Sequence, residues 1–75
     1  MAKIILASWR EGLEKVTLTK LQVEILGRAL KEAKSNVDLL LDGKEVVIEV
    51  DNLHLANEFL KEAEKIGVNC KVILN

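Results

Sequence analysis

Apolar side chains in this chain recur with two periods, and the order in which the periods alternate restricts the folds open to it. Val46, Ile48 and Val50 stand at every second position, with Glu49 between them. Val68, Cys70, Val72 and Leu74 repeat the pattern around Asn69 and Lys71. A period of two places alternate side chains on opposite faces of a strand. Ile4–Ser8 is a short apolar run rich in β-branched residues and reads as a further strand, with Trp9-Arg10-Glu11-Gly12 as the loop after it. Between these runs the spacing changes to three and four. Val16, Leu18, Leu21, Ile25 and Leu26 include one such stripe, and Leu30, Ala33, Val37, Leu40 and Leu41 form a second. Leu53, Ala56, Phe59, Leu60, Ala63 and Ile66 form a third. That spacing lays one apolar face along a helix.

The punctuation agrees with the periods. The first helix starts either at a capping box of Thr19 with Gln22, at Thr17, or nearer Lys15. Gly27 stands where a helix C-terminus favours a left-handed glycine, and Asp42-Gly43 closes the second helix. Asp51 or Asn52 suits the N-cap of the third helix, and Gly67 its end. The order is therefore β-α-α-β-α-β. Six short elements bury their apolar faces best as a two-layer α+β domain with a three-stranded antiparallel sheet. Short, un-knotted connections place the first strand between the other two.

A single domain is expected over residues 1–75, with no proline, linker or repeat to divide it. A domain of this size buries only about 60% of the surface its unfolded chain exposes. Trp9 and Phe59 are its only aromatic residues, so the core has to be aliphatic. The formal net charge of −1 argues against binding nucleic acid through bulk electrostatics. The charge is unevenly spread: residues 1–37 carry seven basic and four acidic side chains, residues 38–75 four and eight. Cys70 is the single cysteine, so no internal disulfide forms, and a cytoplasmic location is expected for so small a domain without staples. Met1–Ala7 is too short an apolar run for a signal peptide, and no stretch approaches the ~20 apolar residues of a membrane span.

The run Lys15-Val16, Lys20, Gly27, Leu30-Lys31-Glu32-Ala33-Lys34, Val37 and Asp38 resembles, without a gap, the C-terminal domain of the bacterial ribosomal stalk protein. Leu60-Lys61-Glu62-Ala63-Glu64, Gly67 and the closing strand fit that family more loosely. The resemblance implies the fold shared with ClpS-like adaptors, and it implies capture of translational GTPases through the first two helices. The matching positions are Lys15, Val16, Lys20, Leu30, Lys31, Glu32 and Lys34. The family usually has isoleucine where Thr19 stands, arginine where Val23 stands and glycine where Ala29 stands. The arginine would have supplied a forked donor for carboxylates. The ClpS pocket needs an Asn-Asp-Asp run and a helical histidine. Ala7-Ser8-Trp9 and Leu40 occupy those places, so its amine-binding chemistry is not expected.

The residues left over carry little chemistry. His54 has no second histidine or acidic cluster at metal spacing and reads as a surface residue. Cys70 reads as a small buried hydrophobe, and Trp9 as a plug at the edge of a small core. Lys20 and Glu24 have the spacing of a surface ion pair. No phosphate loop and no Ser/His/Asp set is present, so no cofactor and no enzymatic activity are expected. The expected function is protein binding, with a translation factor or another acidic protein surface as partner. The alternative is a stand-alone adaptor or inhibitor, from a phage or a divergent paralogue, that binds a different protein with the same fold.

Overall fold

The computed structural model describes residues 1–74 and has the element order β1 (Ala2–Trp9), α1 (Lys15–Glu24), α2 (Leu30–Leu41), β2 (Val46–Val50), α3 (Leu53–Lys65) and β3 (Val68–Leu74). β1 is the central strand, antiparallel to β2 on one side and to β3 on the other. The α+β class, the three-stranded antiparallel sheet and the central place of the first strand all agree with the apolar patterning. The register explains the periods. Ala2, Ile4 and Leu6 face Val50, Ile48 and Val46 on β2, and Leu74, Val72 and Cys70 on β3. These rows form the inner face of the sheet. α2 and α3 lie on the sheet, and α1 packs against both helices. The core also takes Leu18 from α1, Val37 and Leu40 from α2, and Ala56, Phe59 and Ala63 from α3.

A bulge ends the regular pairing of β1 with β3. Leu6 pairs with Cys70, but Ser8 pairs with Asn69 and Trp9 with Val68. The extra residue shifts the alternation by one, which exchanges the two faces of the strand. Ser8 joins Asn69 on the outer face, where the Asn69 amide donates to Ser8 Oγ at 2.8 Å. Trp9 is turned to the face of Val68. It thus belongs to the strand rather than to a loop, and at 42% exposure it does not plug the core. Steric packing beyond Leu6 is supplied by Val68, which is fully buried.

Main-chain and side-chain bonds hold the ends of the helices. α1 begins at Lys15 with Glu14 as N-cap, so the Thr19–Gln22 capping box does not form. Thr19 Oγ1 instead donates to the Lys15 carbonyl one turn back, at 3.1 Å. Gly27, at φ 68°, donates to the Val23 carbonyl and so closes α1 with a left-handed cap. Asn52 caps α3 by accepting from the Leu55 amide at 3.2 Å. Arg10 closes the other end of α3. Its guanidinium donates to the Glu64 carbonyl, to the Asn69 side chain and, at 3.3 Å, to the Val68 carbonyl. A cation at a helix C-terminus also opposes the negative end of the helix dipole.

Two further expectations fail on burial. Leu53 is 42% exposed, because it is the first residue of α3 and projects beyond the sheet's cover. Leu74 is 65% exposed, because its row ends at the open edge of β3. The sequence periods give direction but not how far the opposing layer extends.

Gly67 turns the chain from α3 into β3. Its φ of 103° lies where L side chains are strained, and a Cβ there would come 3.0 Å from the Leu13 Cα. The Gly67→Ala variant is therefore expected to lose about 2 kcal/mol of unfolding free energy, combining backbone strain with the clash. Urea titration followed by circular dichroism measures it, and an unchanged midpoint would refute the assignment.

Candidate protein-docking face

Gln22 sets the geometry of the two-helix unit. It stands on the apolar stripe of α1, one turn after Leu18, and is the one fully buried polar side chain among the described residues. Its Nε2 donates to the Ala33 carbonyl at 3.1 Å and to the Leu18 carbonyl at 3.3 Å. Its Oε1 accepts from Asn36 Nδ2 at 2.9 Å. One side chain thus bonds the last turns of α1 to the first turns of α2 and leaves no side-chain polar atom of its own unpaired. A buried polar group with all its partners present is directional in a way that an aliphatic contact is not. Patterning could not assign it this role: glutamine at a core-facing position is visible in the sequence, but its partners on α2 are not.

With Gln22, Leu18, Ala33, Val37 and Leu40 turned inward, the other flanks of the hairpin meet solvent. All seven expected contact residues are exposed: Lys15, Val16 and Lys20 on α1, and Leu30, Lys31, Glu32 and Lys34 on α2. Val16 is 70% exposed and Leu30 55%, so neither contributes to the core. Leu30 therefore departs from the stripe that Ala33, Val37 and Leu40 make. Five of the residues sort into two ridges by helical neighbourhood, which joins positions three and four apart. Val16 and Lys20 form one, flanked by the half-buried Thr19 and Val23. Leu30, Lys31 and Lys34 form the other. Glu32 lies off the second ridge, next in helical terms to Asn36, the residue that bonds Gln22. It sits on the flank toward α1.

The electrostatics of this surface are simple. Lys20 and Glu24 are not ion-paired; the ion pair among the described residues is Lys65 with Glu62 at 3.2 Å, on exposed α3. An exposed pair of that kind contributes little to stability. The lysines on the hairpin remain available to a partner. The remaining surface includes the following depressions. One, about 290 Å³, runs along α3 past His54, Asn57, Glu58 and Lys61. The other, about 370 Å³, lies between Arg28 and the start of α3. His54 is exposed, and no group of three His, Cys, Asp or Glu able to hold a metal occurs among the described residues. Among the described residues, no helix is long and apolar enough to cross a membrane.

Cys70 is half-buried on the inner face of β3, with Sγ 3.9 Å from the Leu60 carbonyl. Burial, helped by the nearby Glu64 carboxylate and opposed by Arg10, pushes its thiol up to about 11. A thiol held neutral in this way is a poor nucleophile.

No protein-family model matches the chain, and no curated protein matches it.

Replacing Gln22 with alanine strands the Asn36 amide in the interface. Gln22→Ala is expected to cost about 2 kcal/mol, measured by urea unfolding, with the loss concentrated in amide-exchange protection of α1 and α2. For Cys70, the folded thiol ionises about two pH steps above its ordinary value of 9.0. The neutral form is common to the folded and unfolded chains below pH 9, so the thiol leaves stability unchanged there. Between about pH 9 and 11 the unfolded chain ionises first, and stability falls as pH rises. Alkylation of Cys70 at pH 8 should be slow in buffer and fast in urea; equal rates would show an accessible, unperturbed thiol.

Proposed function

We propose that the chain is a non-enzymatic protein-binding module of the ribosomal-stalk type, engaging a translational GTPase or a similarly acidic protein surface through the α1–α2 hairpin. The observation that carries this reading is the pair of large aliphatic side chains left in water among lysines. Val16 and Leu30 have no core role, yet they sit on a hairpin whose opposite side is fixed by Gln22. An exposed aliphatic side chain among basic ones suits a partner that offers an apolar pocket ringed by carboxylates. Lys15, Lys20, Lys31 and Lys34 would steer such a partner. Val16 and Leu30 would supply the area removed from water.

The sequence resemblance supplies the partner class. The seven positions that match the stalk family, Lys15, Val16, Lys20, Leu30, Lys31, Glu32 and Lys34, are all exposed on this hairpin. Val23 stands where that family has arginine, and it is half-buried. The bidentate contact of an arginine is therefore absent from this surface, and binding rests on lysine charge and aliphatic burial. Association of this kind is fast, weak and sensitive to salt.

The test is titration of isotopically labelled chain with the GTPase domain of an elongation factor, followed by amide shifts. The expected shifts fall on residues 15–20 and 30–34 and weaken as salt is raised. Val16→Asp is expected to reduce affinity roughly tenfold without unfolding the chain, since the side chain is exposed. If residues 15–34 stay silent, the GTPase reading is wrong; the adaptor or inhibitor reading would then stand, with a different protein on the same fold.

A further inference from the structure

We propose that the outer edge of β3 pairs, antiparallel and centred on Val72, with the same edge of a second copy of this chain. β1 is paired on both sides, so β2 and β3 are the two edges of the sheet. An unpaired edge offers a row of main-chain donors and acceptors to any extended strand. The two edges are guarded unequally.

β2 is obstructed. The Arg28 guanidinium donates to the Glu49 carbonyl, in the middle of the strand's second half. β2 is also only five residues long and lies between Glu45 and Asp51. Antiparallel self-pairing centred on Ile48 would set Glu45 opposite Asp51 of the second copy, and would do so twice. Like charges directly opposite one another are destabilising.

β3 is open over residues 70–74. Arg10 engages the Val68 carbonyl and the Asn69 side chain, so the first two residues of the strand are occupied. Beyond them Lys71 is the one charged residue, and Ile73 and Leu74 are exposed at 40% and 65%. The choice of register follows from the side chains. Centring the pair on Lys71 would oppose two lysines. Centring it on Cys70 would require the 68–69 segment that Arg10 holds. Centring it on Val72 uses 70–74 and nothing else. Val72 then meets Val72 of the second copy, Cys70 meets its Leu74, and Lys71 meets its Ile73. Leu74, the inner-face residue that the helices leave uncovered, gains an apolar neighbour. The lysines stand apart.

Five residue pairs make a small contact, well short of the roughly 800 Å² per partner of a stable interface. The dimer is therefore weak and depends on concentration. It leaves the α1–α2 hairpin free, so it neither requires nor excludes the proposed docking of a GTPase.

Sedimentation velocity from micromolar to millimolar chain, paired with amide shifts on dilution, tests the pairing. The expected result is a reversible monomer–dimer equilibrium with shifts confined to β3. Two variants test the register. Ile73→Lys creates two lysine–lysine oppositions at once and is expected to weaken association roughly tenfold; Ile73→Glu creates two lysine–glutamate oppositions and is expected to tighten it. Ile73 lies on the outer face and is partly exposed, and circular dichroism confirms that both variants fold. A chain that stays monomeric at millimolar concentration overturns the proposal. So does a dimer whose affinity is the same for both variants, or one weakened by Val16→Asp.

Discussion

The double pairing of β1 is the constraint from which the rest of the structure follows. A strand with a neighbour on each side has its main-chain groups satisfied within the sheet, and its inner side chains are enclosed. Ala2, Ile4 and Leu6 are all buried, each at the middle of a three-residue row. The helices have one face to cover, and α2 and α3 cover it. Because β1 comes first in the chain, both later strands have to return to it, and each return passes through helix. α1 and α2 join β1 to β2, and α3 carries the chain past β1 to β3.

The irregularities cluster where the sheet ends and the helical layer begins. The bulge after Leu6 redirects Ser8 and Trp9, and the next residue, Arg10, holds the end of α3 and the start of β3 together. The Arg10 and Glu14 amides donate to the carbonyls of Gly67 and Ile66 at 2.7 and 3.1 Å. The entry to α1 is thereby tied to the exit of α3. At the far end, Gln22 ties α1 to α2. α1 does not reach the sheet as its sister helices do, so these polar ties fix its position and hold the exposed ridges of the hairpin in place.

The surface divides by chemistry in a way that follows from this arrangement. The hairpin carries lysines around the exposed Val16 and Leu30, and the sheet edges differ in charge and in obstruction. The same guanidinium chemistry serves at both edges: Arg10 at the head of β3 and Arg28 along β2 donate to main-chain carbonyls. Cys70, the one thiol, is placed between β3 and α3 and is kept neutral by burial. Its chemistry is that of a core residue.

Period and punctuation determined the six elements, their order, the inward face of β2 and the cap at Gly27, and narrowed the α3 cap to Asp51 or Asn52. These depend on contacts within a few residues, and local spacing encodes them. The antiparallel placement of β1 followed as well, because few topologies join such short connections. The candidate contact positions were legible as a motif, and the helical spacing left Val16 open between core and surface. Only the tertiary structure decided that Val16 and Leu30 face water, that Gln22 is interior, that Trp9 changes face and that Leu53 and Leu74 lack cover. Each depends on what lies opposite a residue: Ala33 and Asn36 for Gln22, Asn69 and Val68 for the shifted strand, and the limit of the helical layer for the two leucines. Those partners are distant in the chain, and periodicity carries no information about them.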